Sequence, residues 1–270
     1  MSEEKVKVRK HKILSRPILG AVLLIVWAVC VPMIGDKMFD DDLYEYIATI
    51  VIAIILFGLH KFWFRPEFKG CFSKNFANKE INKFYLLIFV IDIIIAIIGL
   101  IITGVVPPTL LGFTMALVAG FWEELTFRAL PQSIMMRDWL DEKHIMFIAI
   151  FTSICFGLLH GANALMGADK FSTVIQVIFA FGFGMFLSAV YLRTANIWYA
   201  VIMHGVHDYF SFLAPGVETG LVTVQVSTYD IVANLILFVL MISAALYMLR
   251  KSVRAEIVEV WKDRWSVNSI

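Results

Sequence analysis

The sequence predicts an all-α fold, a polytopic integral membrane bundle of about eight transmembrane helices. Hydrophobic residues make up 60% of the 270 positions and charged residues only 17%, which lies outside the range of soluble domains. Apolar runs of roughly 20 residues recur along the chain, and such runs predict membrane-spanning helices because lipid offers the backbone no hydrogen-bond partner. Basic residues collect between alternate runs, as they do in multispan proteins.

The apolar runs predict one membrane domain with two flanking segments. A basic cytoplasmic N-terminus is predicted at 1–16, the membrane domain at 17–249 and a cytoplasmic amphipathic tail at 250–270. No small-residue cleavage site follows the basic N-terminus, so an uncleaved first span is predicted instead of a signal peptide. The spans are predicted at 17–35, 43–60, 84–102, 109–130, 145–165, 173–192, 197–213 and 231–249.

The positions of Lys and Arg give this topology an orientation. If odd-numbered spans run outward from the cytoplasm, only Lys37 and Lys170 of the 23 basic residues fall in outer segments. The positive-inside rule therefore predicts that both termini are cytoplasmic and that the chain is a multi-pass protein of the plasma membrane.

Composition also excludes several classes of partner. The net charge of +1, without a basic face interleaved with aromatic residues, gives no sign of nucleic-acid binding. Cys30, Cys71 and Cys155 are odd in number and unrelated in spacing, so free, packed thiols are predicted in place of disulfides or a zinc site. Membrane lipid is the first partner that the sequence predicts, and the oligomeric state stays open.

Span four carries charge where lipid disfavours it. The stretch FWEELTFRAL at 121–130 holds Glu123, Glu124 and Arg128, and each ionised side chain costs about 2.5–3.5 kcal/mol near a helix centre. The span must therefore face other helices or a wet cavity. Glu124 and Arg128, four residues apart, can form an ion pair on one face. Glu123 points about 100° away from them and is predicted to be the group that does chemistry.

Span four also has plainer interpretations. The charges could form a buried structural salt bridge, or Arg128 could snorkel to the cytoplasmic surface. Pro131 is predicted to end the helix, which would leave 131–144 as an amphipathic segment at the membrane interface.

Spans five and seven carry histidines in equally apolar surroundings. FGLLHGAN places His160 four residues after Phe156, and IMHGVHDYF places His204 and Asp208 on one helix face, with His207 beside them. A lone histidine in an apolar helix is usually a packing residue, but two such helices and an acidic span together predict a shared site. Small residues beside the histidines would let helices approach closely or leave room for a peptide, namely Gly157, Gly161 and Gly205.

Carboxylate and imidazole groups in a low-dielectric cavity can activate water for hydrolysis, with or without a divalent ion. Imidazoles can share the proton, bind a metal or polarise a carbonyl. The sequence contains no HExxH, GxGD or GxSG motif, so the other intramembrane protease signatures are missing. Asp92 in span three is predicted to face the bundle, where it could pair with a span-four group.

The three motifs EExxxR, FxxxH and HxxxD, in this order on separate spans, resemble the CAAX protease and bacteriocin-processing family, also called Abi. The resemblance covers roughly residues 84–213. Its members are eight-span intramembrane endopeptidases, some of which remove the last three residues of prenylated CAAX proteins, while bacterial members are linked to bacteriocin maturation or self-immunity. The resemblance implies an endopeptidase that cleaves a membrane-associated peptide or protein. The short chain, rich in Lys, Ile and Phe, is typical of bacterial members.

The resemblance also implies a role for each motif residue. Glu123 would be the base that activates water, assisted by His160. His204, with the residue at 208, would stabilise the oxyanion. Glu124 and Arg128 would form a supporting pair.

Position 208 departs from the family pattern, because the eukaryotic branch has HxxxN where this chain has Asp208. An ionised Asp cannot donate to an oxyanion, so Asp208 must be protonated, orient His204 or His207, or bind a metal. Family members are described both as metalloproteases and as metal-independent glutamate proteases. A divalent ion such as Zn²⁺ stays an alternative, with ligands drawn from Glu123, His160, His204 and Asp208.

Two functions of other classes stay open. The chain could be a non-catalytic bacteriocin self-immunity protein or regulatory scaffold, or a proton-coupled transporter that uses the same groups. The inverted repeats and broken helices of carriers are not evident in the sequence.

The depth of the site predicts the side on which it opens. Glu124 and His204 lie roughly 10 Å from the predicted cytoplasmic ends of their spans, which favours an opening toward the cytoplasm. His160 lies about 22 Å from the cytoplasmic end of span five.

Overall fold

A computed structural model describes residues 68–73, 76, 78–218 and 221–265, together with scattered positions between 17 and 58. The predicted N-terminal segment and most of the first two predicted spans lie outside the described residues. All three sequence motifs lie within them.

The described residues are almost entirely helical, which confirms the all-α class. A π-helical turn at Leu125–Ala129 joins the second helix to the third, and 3-10 turns lie at Ala162–Leu165 and Lys251–Val253. A small antiparallel hairpin pairs β1 (Val217–Glu218) with β2 (Leu221–Val222). The helices are α1 (Lys79–Thr103), α2 (Leu110–Glu124), α3 (Leu130–Trp139), α4 (Ile145–Gly161), α5 (Lys170–Thr194), α6 (Trp198–Ser211), α7 (Thr228–Met248) and α8 (Arg254–Arg264).

Four of the described helices are long and apolar enough to cross a membrane: α1, α4 with the turn that follows it, α5 and α7. The chain is therefore a membrane protein. Helix α6 has 14 residues, fewer than the roughly 20 that a straight crossing requires, and α2 has 15 before the π turn and α3 continue it. The predicted number of eight crossings is thus supported only in part, since four described helices meet the criterion.

Capping residues set the helix ends. Asn78 accepts a hydrogen bond from the backbone N–H of Ile81 at the start of α1, and Asp169 does the same for Ser172 at the start of α5. Ser227 and Asp230 form a capping box at the start of α7. These caps satisfy backbone donors that the helices themselves leave unpaired.

The predicted helix end at Pro131 is wrong, because the chain stays helical from Leu110 to Trp139. In a regular α-helix the proline ring would clash with the carbonyl four residues earlier. Here the backbone N–H of Leu130 bonds to the carbonyl of Leu125, five residues back, and the wider π turn lets the helix pass the proline. Residues 130–136 are consequently buried in the bundle, so the predicted interfacial segment at 131–144 is wrong for this half.

Helix α5 is the centre of the bundle and packs against α4 on one side and α7 on the other. Its second half is buried throughout, and polar side chains fasten α3 to it. Gln132 Nε2 donates to the hydroxyl groups of Thr152 and Ser188, at 2.9 and 2.8 Å. These buried hydrogen bonds connect α3, α4 and α5.

One end of the bundle is tied together by ion pairs, and we call it the basic end. Arg193, at the end of α5, binds Glu80 and Glu256, each at 3.1 Å. Arg250 binds the other carboxylate oxygen of Glu80 at 3.2 Å. The start of α1, the end of α5, the end of α7 and α8 therefore meet here.

The C-terminal helix α8 closes the basic end. Trp261 is fully buried and its Nε1 donates to the carbonyl of Leu192 at 2.9 Å. Phe68 stacks on Trp265, with ring centroids 4.4 Å apart, and the backbone N–H of Lys69 bonds to the carbonyl of Arg264. The apolar side chains of the predicted amphipathic tail thus pack on the protein.

The opposite end is built from three loops, at 104–109, 162–169 and 212–227, which we call the rim. The N–H of Val106 bonds to the carbonyl of Leu213, and the N–H of Asp169 bonds to the carbonyl of Val222. These bonds connect the loops between helices α1–α2, α4–α5 and α6–α7 into one surface.

Candidate active site

The crossing of α2 and α6 positions the site. A Cβ atom on Gly120 would lie 2.7 Å from the backbone N of Gly205 and 2.9 Å from its Cα, so the two backbones touch. Glu124 follows Gly120 by four residues and His204 is adjacent to Gly205. Close backbone contact between glycines therefore brings the acid of one helix within reach of the imidazole of the other.

The inner part of the site is a closed layer of Glu124, Arg128 and His204. Oε1 of Glu124 accepts from Nη1 of Arg128 at 2.6 Å and lies 2.8 Å from Nδ1 of His204. The side chains of Glu124 and Arg128 have 0% exposure and that of His204 has 4%. Arg128 therefore does not snorkel to a surface. Because Arg128 balances the carboxylate charge, Glu124 acts as the acceptor and Nδ1–H of His204 as a donor.

The outer part of the site is an open layer of Glu123, His160 and Asp208. Oε2 of Glu123 lies 3.9 Å from Nε2 of His160 and 3.7 Å from Nε2 of His204. Asp208 Oδ2 lies 3.5 Å from the same Nε2 of His204. The exposed fractions are 12% for Glu123, 18% for His160 and 22% for Asp208. These separations exceed a direct hydrogen bond but suit a small polar group placed between the side chains.

Aromatic rings separate the site from the rest of the bundle. Phe156 stands edge-to-face with the imidazoles of His160 and His204, at 4.9 and 5.6 Å between centroids. The guanidinium of Arg128 lies over the face of the same ring, 3.9 Å from its centroid. The F of the FxxxH motif thus supports an ion pair and two imidazoles, which explains its spacing of four residues from His160.

Glycine also makes room for Arg128 on α5. A Cβ on Gly184 would lie 3.2 Å from Nη2 of Arg128 and 3.1 Å from Cβ of Ser153. A larger residue at 184 would therefore push against the buried guanidinium. Among the glycines singled out in the sequence, Gly157 meets the carbonyl of Val177 closely, while Gly161 has only ordinary contact with that residue.

A second acid–imidazole pair lies beside the first. Nδ1 of His207 is 3.1 and 3.2 Å from the two carboxylate oxygens of Asp92, whose side chain is 3% exposed. The ring of His207 stacks on Phe179 at 4.9 Å. Asp92 faces the bundle as predicted, but its partner stands on α6, whereas the sequence suggested a partner on span four. The ring of Phe183 contacts both His204 and His207, at 5.3 Å each, and so connects the two pairs.

The arrangement of the same side chains bears on whether a metal ion fits the site. Within the part of the chain that the structure describes, no group of three or more His, Cys, Asp or Glu is arranged to hold a metal ion. The geometry therefore gives no support to the metal alternative at Glu123, His160, His204 and Asp208, and we derive no step through a metal.

The accessible side of the site faces the rim. His160 is the residue before the last of α4, and Asp208 lies one turn beyond His204 toward the end of α6. The predicted cytoplasm-facing opening depended on a helix that ends near Leu130. Because that helix continues to Trp139, Glu124 lies 15 residues from its end, as His160 lies 15 residues from Ile145. His204, which contacts Glu124 at 2.8 Å, lies only six residues from Trp198, or about 9 Å. The cytoplasm-facing opening therefore stays a prediction.

The structure brings all six predicted site residues into one centre: Glu123, Glu124, Arg128, His160, His204 and Asp208. Sequence reasoning missed Gly120, Gly184 and Phe183. Gly120 precedes the EE pair by one helical turn, which is a signal that could have been noticed. No sequence signal marked Phe183, because an aromatic residue in an apolar helix has the same sequence context whichever way its side chain points.

The fold and the site define a polytopic membrane protein with an acid–imidazole centre enclosed by its helices. Residues 105–210 match the family model described as Rce1-like, type II CAAX prenyl endopeptidase. This confirms the resemblance to the CAAX protease family that the motifs predicted, and it implies a peptidase. The matched segment includes all six site residues but not Asp92. No curated protein and no solved structure matches the chain.

Proposed function

We propose that this protein is an intramembrane endopeptidase that hydrolyses a peptide bond in or next to the membrane through water activated by Glu123. One observation carries the proposal. Two adjacent glutamates have opposite environments: Glu124 is ion-paired to Arg128 at 2.6 Å, whereas Glu123 faces two imidazole nitrogens at 3.7 and 3.9 Å. Oε2 of Glu123 has no hydrogen-bond partner among the described residues. A carboxylate in this position can take a proton from water.

The first half of the reaction follows from these positions. Glu123 takes a proton from a water molecule that it shares with His160, and the water oxygen forms a bond to the carbonyl carbon of the substrate. The electron pair of the C=O bond moves to the oxygen. In its cationic form His204 donates through Nε2 to this oxyanion, while Nδ1–H stays bonded to Glu124.

The second half returns the proton. The oxyanion reforms the carbonyl, the C–N bond breaks, and the nitrogen takes the proton that Glu123 received, either directly or through His160. The products are a carboxylic acid and an amine. Asp208, 3.5 Å from Nε2 of His204, orients that ring and favours its cationic form, which is how an Asp can occupy the place of Asn.

We further propose that both termini are cytoplasmic and that the protein resides in the plasma membrane of a bacterium. The support is the distribution of Lys and Arg, together with the finding that Arg193, Arg250 and α8 gather at one end of the bundle. Basic segments on one side of a membrane protein favour the cytoplasm.

The test compares cells that contain the wild-type protein with cells that contain Glu123→Gln at equal membrane abundance. Mass spectrometry of membrane peptides is expected to find new peptide termini in the wild type that disappear in the variant. Glu142→Gln, an exposed change of the same chemistry between α3 and α4, serves as the matched control. If Glu123→Gln leaves every terminus and the cellular phenotype unchanged, the protein is not a hydrolase, and the scaffold or transporter alternatives take its place.

A further inference from the structure

We infer that the substrate is an apolar peptide segment that reaches the site from the extracytoplasmic side of the membrane. The inference rests on the proposed function, which supplies the site, and on the proposed orientation. It adds the direction of entry and the chemistry of the substrate, and four observations lead to it.

The first observation is the direction along the helices in which the side chains of the site become exposed. Helices α4 and α6 run in the same direction, and α2 runs against them. Exposure rises toward the end of α6, from 4% at His204 to 22% at Asp208, and His160 stands at the end of α4. On α2 the partly exposed Glu123 precedes the fully buried Glu124, so it lies nearer the start of its helix. All three helices therefore place the accessible atoms toward the rim.

The second observation is that the path toward the basic end is filled. Below the closed layer, residues 127–136 are fully or almost fully buried, as is the second half of α5. Farther down, Phe68 and Trp261 lie against the end of α5, and Arg193 binds glutamates of α1 and α8. A peptide that came from the basic end would have to displace this packing.

The third observation assigns the basic end and the rim to opposite sides of the membrane. Among the described residues, the loops and helix ends at the basic end carry Lys69, Lys79, Arg193, Arg250 and their neighbours, whereas Lys170 stands next to the rim. The positive-inside rule assigns the basic end to the cytoplasm. The rim, and with it the accessible face of the site, then lies on the extracytoplasmic side.

The fourth observation is the chemistry of the rim. The rim loops read GVVPPT at 104–109, ANALMGAD at 162–169 and FLAPGV at 212–217, and the charged residues of the whole rim are Asp169, which caps α5, and Glu218, with Lys170 directly after Asp169. Val105, Leu110 and Leu165 are exposed there, Leu165 to 89%. Because the exposed side chains of these loops are mostly apolar, the entrance suits an apolar segment, which can move in from the lipid without losing charge–charge or hydrogen-bonding partners.

The orientation is tested by single-cysteine labelling. In a background in which Cys30, Cys71 and Cys155 are replaced by Ala, Leu165→Cys reports the rim and Lys251→Cys reports the basic end. Both native positions are exposed. A membrane-impermeant maleimide is expected to label Leu165→Cys in intact cells at least tenfold more than Lys251→Cys, and to label both after permeabilisation. The reverse pattern in intact cells would overturn the inference.

The substrate class is tested with the peptide termini that depend on Glu123. They are expected to lie in the extracytoplasmic half of apolar segments or just outside it. Termini that depend on Glu123 but lie within a few residues of cytoplasmic C-termini would overturn the inference and leave the proposed function intact. If no terminus depends on Glu123, the proposed function itself fails. The two failures are therefore distinguishable.

Entry itself is tested by blocking the rim. Ala162→Cys stands two residues after His160 and is partly exposed. A bulky impermeant maleimide added to intact cells is expected to lower the formation of the Glu123-dependent termini at least tenfold in this variant. The same treatment of Lys251→Cys after permeabilisation is expected to leave cleavage unchanged. Cleavage that persists in fully modified Ala162→Cys would rule out entry through the rim.

Discussion

The closed and open layers of the site use the same kinds of side chain in opposite ways. In the closed layer the one acid, Glu124, contacts Arg128 at 2.6 Å and His204 at 2.8 Å, with almost no exposure. In the open layer the acids and imidazoles stand 3.5–3.9 Å apart and reach the surface. The two layers meet at His204, which directs Nδ1 to one and Nε2 to the other.

This difference separates support from chemistry. The buried pair of Glu124 and Arg128 has no exposed surface, so it can hold its geometry but offers a reactant no access. A carboxylate whose partners are too distant for direct hydrogen bonds keeps an acceptor available for water. Neighbouring residues of one helix can thus have different functions, because the helical twist points them at different surroundings.

The largest expected effect comes from Glu123→Gln, which removes the acceptor of the open layer. We expect cleavage to fall by about 10²–10⁴-fold, the range that general-base catalysis contributes. The thermal unfolding temperature in detergent should change little, because Glu123 makes no direct ion pair. Activity within twofold of the wild type would contradict the division between the layers, and Glu142→Gln controls for the loss of a glutamate charge.

Arg128→Met, in contrast to Glu123→Gln, should act by lowering the stability of the protein. It leaves Glu124 buried without its counter-charge, and breaking a buried pair in this manner costs about 3–5 kcal/mol. The measurement is the unfolding midpoint in mild detergent, with Lys251→Met at an exposed position as control. The double variant Glu124→Gln with Arg128→Met should recover part of the loss, because it leaves no unpaired charge. A single variant that stays as stable as the wild type would show that the ion pair is dispensable.

Gly120→Ala tests the crossing on which both layers depend. The added Cβ would meet the backbone of Gly205 at 2.7 Å, and overpacking of this kind costs about 1–3 kcal/mol. We expect lower stability and lower activity together, because Glu124 and His204 move apart. Gly161→Ala is the matched control, since its Cβ would meet Val177 at an ordinary 3.8 Å. Equal behaviour of the two variants would refute the argument from close approach.

Asp92→Asn should have the smallest effect. It keeps an oxygen near Nδ1 of His207 but removes the charge, and the difference between charged and neutral hydrogen bonds is about 1 kcal/mol. A double-mutant cycle with His207→Gln measures the coupling between the two residues in the unfolding midpoint. Strictly additive effects would mean that the contact contributes nothing. A change in the pH profile of cleavage would show that the second pair also influences the open layer.

The sequence predicted the site more closely than it predicted the fold around it. The spacing within each motif was readable because i, i+4 neighbours on a helix are a local property. The convergence of the motifs depends on the crossing of α2 and α6 at Gly120 and Gly205. The span ends near Pro131 could not be read in the same way, because a π turn depends on how the neighbouring helices hold the chain. The partner of Asp92 was also out of reach, since a contact between α1 and α6 joins residues more than a hundred positions apart.

By itself the sequence determined that the chain lies in a membrane, that its helices bury acids and imidazoles, and that basic residues alternate between its loops. Hydrophobicity and charge act residue by residue, so composition and order are enough to fix these properties. Only the tertiary structure decided which glutamate is paired, which end of the site is closed and where α8 packs. Those outcomes depend on distances of a few ångströms between distant parts of the chain, and such distances exist only after the helices have packed.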